Sequence, residues 1–182
     1  MLNVILISGA SGVGKTSLLL ELGSQAMSRR IHLIDTDSYR VYLNEISKKF
    51  GAPQLPPEFH LSANISTDMF EKKAKSIQEY IIEPALVGAS RWKINACVIA
   101  GHILPGHFDT NRFPQMNFKE VLIVCSDKET HRNRLRDRKP KFIKYFEQIR
   151  QIQQQLILHA QKSGIQIIES NENTLDAILE LL

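Results

Sequence analysis

GASGVGKTS, residues 9–17, follows an apolar run at 2–8 and precedes a leucine-rich segment at 15–28. It has the spacing of a phosphate-binding loop (P-loop): a glycine, four residues of any type, and then Gly-Lys-Thr. Such a loop needs a buried strand before it and a helix after it, because backbone N–H groups and the helix N-terminus together bind the phosphates. Both flanks have these patterns. The stretch therefore predicts a P-loop in an α/β domain.

The residue types in this loop indicate how a nucleotide would bind. Lys15 is expected to reach the β- and γ-phosphates and to stabilise the transferred group, and the Thr16 hydroxyl is expected to coordinate Mg²⁺. We therefore predict ATP and Mg²⁺ as cofactors. The predicted nucleotide-binding residues are Gly9, Ala10, Ser11, Gly12, Val13, Gly14, Lys15, Thr16 and Ser17.

Short apolar runs alternate with helical patterns along the rest of the chain. Strands that alternate with helices indicate a mostly parallel sheet with helices on both faces. We therefore predict one domain over residues 1–182, a three-layer α/β/α P-loop fold with a five-stranded parallel sheet. The strands after the first are predicted at 31–35, 95–100, 121–125 and 165–169, and the helices after the first at 39–50, 67–91, 127–138 and 142–162.

Composition restricts the classes of partner. The chain has 43% hydrophobic and 23% charged residues, and its net charge of +4 favours anionic ligands without requiring nucleic acid. Cys97 and Cys125 each lie in an apolar run, which indicates buried thiols rather than a disulfide. The first apolar run is too short to span a membrane. We expect a soluble cytoplasmic protein with a small-molecule substrate and no membrane or nucleic-acid partner; the sequence does not indicate its oligomeric state.

Two carboxylates follow the second predicted strand, in the stretch IDTDSYR. Asp35 and Asp37 are two residues apart, so in an extended segment they point to the same side. The carboxyl end of a parallel strand faces the ligand crevice. We predict that Asp37 binds the substrate and accepts its hydroxyl proton, and that Asp35 helps to bind the metal. The alternative is that Asp37 only caps the next helix.

A basic segment, HRNRLRDRKPK at 131–141, follows the fourth predicted strand. Leu135 is its only large apolar side chain, so a helix here has little to bury. Phosphoryl transfer needs cations that neutralise charge in the transition state. We therefore predict a lid over about 127–141 that closes over the triphosphate. The alternatives are a solvated charged face and a basic patch that binds nucleic acid.

The arginines of this segment lie on two faces of the predicted helix. Arg132 and Arg136 share one face, and Arg134 and Arg138 share nearly the opposite one. Only one pair is expected to face the phosphates, and spacing alone does not decide which. We assign the catalytic role to Arg132 and Arg136.

Several stretches taken together resemble the P-loop kinases of the 2-phosphoglycerate kinase type. The resemblance covers most of the chain and implies a fold similar to that of shikimate and gluconate kinases, with strand order 2-3-1-4-5. It also implies transfer of the γ-phosphoryl group of ATP to a hydroxyl of a small acidic or phosphorylated metabolite. The stretches are, in order, GASGVGKTS, TDSYR, AGHILPG, VCSDKETHRNRLRDR and KYFEQIRQIQQQLILHAQKSGIQII.

The resemblance also implies where the acceptor binds. Asp37 and Arg40 correspond to the acid of the family's TDS stretch and to the arginine that follows it. His102 begins a His-x-x-Pro-Gly turn at which substrate is expected, so Arg40 and His102 are predicted to bind substrate. The loops at 51–66 and 101–115 are expected to shape the acceptor pocket.

One position departs from the family pattern. The family's third strand ends in an acid before a glycine and that acid helps to bind magnesium, whereas this chain has Ala100. Asp35 is expected to replace it, as an Asp-x-Asp pair does in shikimate-type kinases. Two alternatives stay open: a nucleotide-binding protein with weak or lost catalysis, and a toxin-like kinase that acts on nucleotides or sugar nucleotides.

Overall fold

The computed structural model describes residues 1–50 and 66–182. Within these ranges the sheet has five strands, all parallel, in the order β2-β3-β1-β4-β5. The predicted fold class and strand order are therefore confirmed. The strands are β1 (Leu2–Ser8), β2 (Ile31–Asp35), β3 (Ala96–Ala100), β4 (Met116–Val124) and β5 (Gln166–Glu169).

Helices follow most of the strands. The predicted helix over 67–91 consists of three consecutive elements: α3 (Thr67–Ile77), a π-helical turn at Gln78–Ile82, and α4 (Glu83–Ala89). The π-helical turn lies directly before Pro84, which has no N–H to donate to the preceding turn. The α-helices are α1 (Lys15–Arg29), α2 (Thr36–Phe50), α3 (Thr67–Ile77), α4 (Glu83–Ala89), α5 (Lys128–Arg138), α6 (Phe146–Lys162) and α7 (Thr174–Leu179). None of the helices in the described ranges is long and apolar enough to cross a membrane.

Strand β1 lies in the middle of the sheet and is buried on both faces. Ile5 and Ile7 pack into one apolar cluster with side chains of α1, α6 and α7. Val4 and Leu6 pack into a second cluster with the α3–α4 segment. This alternation explains the unbroken apolar run in the sequence. It also places the residues after β1 at the centre of the sheet's carboxyl edge, where ligands bind in this class of fold.

Several element boundaries differ from the predictions. Helix α2 begins at Thr36 rather than at 39, so Asp37 lies in a helical turn and not in an extended segment. Strand β4 begins at Met116 rather than at 121, because residues 116–120 also pair with β1 while alternate side chains face solvent. The predicted helix at 142–162 begins as a 3₁₀ turn at Pro140–Tyr145 before α6. The short helix α7 was not predicted. Cys97 and Cys125 are buried free thiols, as expected.

Candidate nucleotide and acceptor site

The loop at 9–14 turns from β1 directly into α1. At Gly9 the backbone φ is +155°, and a Cβ there would lie 2.7 Å from the Ile123 carbonyl oxygen of β4. Only glycine allows the loop to pass this close to the neighbouring strand. Helix α1 begins at Lys15, so its free N–H groups stand beside the loop. The strand–loop–helix context of a P-loop is therefore confirmed.

A cleft of about 340 Å³ opens at the carboxyl edge of the sheet, above the loop. Its walls are the loop, the ends of β2 and β3, the last turn of α5 and the loop after β5. Of the nine predicted nucleotide-binding residues, Ala10 and Val13 are buried beneath the loop rather than lining the cleft. The residues from the predicted set that line it are Gly9, Ser11, Gly12, Gly14, Lys15, Thr16 and Ser17.

The Lys15 side chain folds back over the loop that carries it. Its Nζ donates to the carbonyl oxygens of Gly9 (2.7 Å) and Ala10 (2.9 Å). Burial lowers the pKa of Lys15 to about 8; Asp37 opposes this shift and the nearby Lys139 ammonium adds to it. Desolvation disfavours the charged ammonium, so a bound anion that stabilises the charge is favoured here, and a phosphate would supply one.

The affinity for ADP should therefore fall as pH rises above about 8. Bound phosphate stabilises the charged amine and raises its pKa, so binding above this pH requires proton uptake and weakens by up to about tenfold per pH unit. Calorimetric titration with ADP between pH 7 and 9.5, in buffers of different ionisation enthalpy, measures both quantities. In the Lys15→Met variant the affinity for ADP should no longer fall as pH rises over this range. A wild-type affinity that stays constant to pH 9.5 would contradict the shift.

Asp37 and His102 meet on the acceptor side of the cleft. Asp37 lies in the first turn of α2, and its Oδ1 is 2.9 Å from His102 Nδ1 in the loop after β3. Burial opposes ionisation of Asp37, yet His102, Lys15 and Lys139 together hold its pKa below the ordinary value. Asp37 is therefore an ionised carboxylate, oriented by a histidine and open to the cleft.

The helix-capping role belongs to Asp35 and not to Asp37. Asp35 Oδ1 accepts from the Asp37 backbone N–H (3.0 Å), and Oδ2 accepts from the Ser38 hydroxyl (3.1 Å). Asp35 thus satisfies the start of α2, and Asp37 is left for the cleft. In the parallel register Asp35 lies directly opposite Ala100. The Asp35 carboxylate therefore lies on the strand next to Ala100, the position at which the resembling kinases have an acid.

The oxygen atoms at this edge suit magnesium better than a metal bound by protein alone. Within the described ranges, no three His, Cys, Asp or Glu side chains are grouped closely enough to bind a metal ion. Mg²⁺ is commonly bound by one or two carboxylates, with phosphates and waters completing its octahedron. Thr16 and Asp35 both line the cleft and fit that partial set.

The structure brings Arg134 and Arg138 to the cleft, rather than the pair that we assigned. Arg134 donates to the Ser170 hydroxyl (2.9 Å) and carbonyl (3.2 Å), which links α5 to the loop after β5. Arg132 lies over the Phe146 ring, 4.9 Å from its centroid, and 3.7 Å from Glu147. Among the described residues, the cleft lining includes neither Arg132 nor Arg136.

A buried lysine that the sequence analysis missed lies beside the acceptor side. The Lys73 side chain on α3 is 1% exposed. Burial lowers its pKa to about 8, the nearby Arg40 guanidinium lowers it further, and Asp37 opposes the shift. Phe70, one turn earlier, packs on the His102 ring with centroids 5.2 Å apart. Lys73 and Arg40 therefore add positive charge on the side of Asp37 and His102, although neither is part of the cleft lining among the described residues.

The predicted acceptor loops have different outcomes. The loop at 51–66 lies outside the described residues except for Ser66, which caps α3. In the loop at 101–115, Gly101 and His102 line the cleft. The Pro105–Gly106 turn lies elsewhere, because the Gly106 N–H donates to Glu120 (2.9 Å) and its Cα packs against Ser163. Arg40 is not part of the cleft lining within the described ranges, although its charge reaches Lys73.

Comparison with known proteins gives a consistent result. No family model matches the chain. It is 28% identical to the 2-phosphoglycerate kinase of Thermococcus kodakarensis over 194 residues, covering 96% of this chain and 64% of that protein. It is 27% identical to the 2-phosphoglycerate kinase of Methanothermobacter thermautotrophicus, covering 98% of this chain and 65% of that protein. The chain thus spans a little under two thirds of these relatives.

A solved structure shows the same fold. Shikimate kinase from Acinetobacter baumannii, in complex with shikimate, superposes with a TM-score of 0.53 at 18% identity, covering 100% of this chain and 93% of that one. The chain is therefore similar in sequence to 2-phosphoglycerate kinases, and its P-loop and strand order give it the fold of the shikimate kinases.

Proposed function

We propose that the chain is an ATP-dependent phosphotransferase that acts on a hydroxyl group of a small anionic metabolite. One observation carries the proposal: a P-loop lysine and an ionised Asp37, oriented by His102, line the same cleft. The first group suits a γ-phosphate, and the second suits the hydroxyl that attacks it. The named activity of the sequence relatives is in accord with this combination.

The roles follow from the positions of the side chains. Asp37 would accept the proton of the acceptor hydroxyl as its oxygen bonds to the γ-phosphorus and the β–γ bridging bond breaks, with ADP as the leaving group. Lys15 would stabilise charge on the transferred group. Arg134 and Arg138, rather than Arg132 and Arg136, would supply the lid cations. Thr16 and Asp35 would bind Mg²⁺, which neutralises phosphate charge when it is bound with ATP.

The charge around Asp37 supports an anionic acceptor. Lys15 and Lys139 lie near this carboxylate, and Lys73 and Arg40 lie near one another on the same side. A carboxylate or phosphate on the acceptor would be attracted to these cations, and a guanidinium can bind either group in a bidentate manner. The acceptor class is therefore a hydroxy acid or a phosphorylated hydroxy acid. 2-Phosphoglycerate has both a carboxylate and a phosphate.

The Lys73→Met variant should raise the acceptor KM by about tenfold or more and leave the KM for ATP within about twofold. Among the described residues Lys73 does not line the cleft, so it acts on the acceptor through its charge, and about 1.4 kcal/mol of electrostatic attraction corresponds to tenfold. Lys72→Met is the matched control, because Lys72 is the adjacent lysine but is 68% exposed and pairs with Asp68. Steady-state kinetics with each substrate varied make the comparison. Equal acceptor KM values in the two variants would remove Lys73 from the site.

An acceptor panel tests the proposed function. ADP formation from Mg·ATP is measured with hydroxy acids, phosphorylated hydroxy acids, uncharged sugars, nucleosides and sugar nucleotides. Acceleration by an anionic hydroxy acid is the expected result. Acceleration only by nucleosides or sugar nucleotides would assign the cleft to another acceptor class.

A second candidate is a nucleotide-binding protein with weak catalysis. The observation in its favour is Ala100, which stands where the resembling kinases have an acid. The Ala100→Glu variant separates the two candidates. A large gain in turnover, of about a hundredfold or more, would indicate that the missing acid limits the natural chain, whereas little change would indicate that Asp35 replaces it.

A further inference from the structure

A histidine of α5 lies beneath the P-loop. The His131 side chain is fully buried, and its Nε2 lies 2.7 Å from the Ser11 carbonyl oxygen. A Cβ on Gly12 would lie 3.2 Å from the His131 ring, so loop and ring are in close contact, and φ at Gly12 is +84°. The ring also packs edge-on against Phe146, with centroids 5.5 Å apart. His131 thus fills the space between α5, α6 and the loop.

Arg150 of α6 fixes the protonation of this ring. Its Nη1 lies 3.4 Å from His131 Nδ1 and donates to the Cys125 carbonyl oxygen at 2.6 Å. A guanidinium only donates, so Nδ1 must accept and Nε2 must carry the hydrogen. Burial, together with Arg150 and Arg134, keeps the pKa of His131 below its ordinary value, against the effect of the Ser11 carbonyl. The neutral ring therefore donates from Nε2 to Ser11.

We propose that His131 is a positioning residue that turns the Gly12 N–H toward the nucleotide phosphates. The peptide between Ser11 and Gly12 is planar and trans, so its C=O and N–H point in opposite directions. Anchoring the Ser11 oxygen to His131, below the loop, directs the Gly12 N–H to the other side. Both residues line the cleft on that side. The inference rests on nucleotide binding at the P-loop, which is part of the proposed function.

The same helix carries Arg134, which lines the cleft. Since α5 provides both His131, which anchors the loop, and Arg134, which lines the cleft, the position of α5 and the shape of the loop are coupled. A shift of α5 would remove the hydrogen bond to Ser11 at the same time as it displaced Arg134.

Two variants of similar size isolate the hydrogen bond. The Gln amide nitrogen is three bonds from Cβ, as His Nε2 is, so H131Q can still donate; H131M places a methyl group there and cannot. Calorimetric titration with ADP should show about tenfold weaker binding by H131M and binding within about threefold of wild type by H131Q. AMP, which lacks the β-phosphate, should bind wild type and H131M equally. Thermal unfolding checks that both variants are folded.

The results distinguish this role from the proposed function. If wild type binds ADP and H131M binds it equally well, His131 has no positioning role and the proposed function stands. If wild type binds no ADP, both fail. The ring is also measured directly by long-range ¹H–¹⁵N NMR of histidine-labelled wild type, assigned by the signal that H131Q lacks. A hydrogen on Nε2 is expected, and a hydrogen on Nδ1 would overturn the proposal whether or not H131M folds.

Discussion

The Lys15→Met variant should lower the rate of phosphoryl transfer by about 10²–10³-fold, as is typical when one preorganised donor to a developing charge is removed. Lys15 is the cation of the P-loop itself, and its ammonium already lies within 2.9 Å of two loop carbonyl oxygens. When a phosphate binds, the Lys15 ammonium would move from these two oxygens to the phosphate. The methionine side chain has similar length and no charge, so the cleft keeps its shape.

The measurement is kcat with Mg·ATP and the best acceptor of the panel. Lys48→Met is a suitable control, since Lys48 is an exposed lysine of α2 that pairs with Glu45 along the same helix. It should have wild-type kinetics. The amine of Lys15 is costly to bury in its charged form, so its removal should not lower the melting temperature. A Lys15→Met variant that is folded and retains more than about a tenth of wild-type activity would contradict the role given to Lys15.

The Asp37→Asn variant should lower kcat by about 10²–10⁴-fold, the range of a general base, while ADP affinity stays within about threefold. An amide cannot accept the acceptor proton, and His102 would lose the charge that orients it. Asp35, not Asp37, caps α2, so the substitution should leave the helix intact. Asp68→Asn is a control for an exposed carboxylate in the first turn of a helix. Unchanged kcat in Asp37→Asn would mean that the hydroxyl needs no base from Asp37.

The sequence predicted the centre of the sheet because β1 and β3 are largely buried. The apolar runs at β1 and β3 have few polar breaks, and the P-loop between β1 and α1 fixes the direction of the chain at that point. Strand β4 was predicted too short because its first half faces solvent on one side. Residues 116–120 alternate between buried and exposed, and that period-two pattern is weaker than an unbroken apolar run.

The sequence analysis chose the arginines on the face of α5 that does not line the cleft, because the helix has one recognisable apolar residue. Leu135 alone does not set the rotation of α5. The second anchor is His131, four residues earlier and equally buried, but a histidine is not counted as apolar. With both anchors known, Arg134 and Arg138 fall on the side of the cleft. The choice depends on the contact between His131 and the P-loop, which is a tertiary interaction.

Lys73 was missed because its residue type does not suggest that it is buried. In the stretch EKKAKS three lysines look alike. Phe70, Ala74 and Ile77 form the buried stripe of α3, and Lys73 lies within that stripe whereas Lys72 lies outside it. The spacing was therefore available in the sequence, but a lysine at an apolar position is usually an exposed residue at the edge of a helix face. Only the fold shows that this one is buried beside Asp37.

The most direct test of the central claim is phosphorus NMR of the protein with Mg·ATP and 2-phosphoglycerate. The account predicts a new phosphomonoester signal that grows in equal amount with ADP, and a signal that grows at least about a hundredfold more slowly with Asp37→Asn. ATP that binds and is never transferred, to 2-phosphoglycerate or to any other anionic hydroxy acid, would contradict the account.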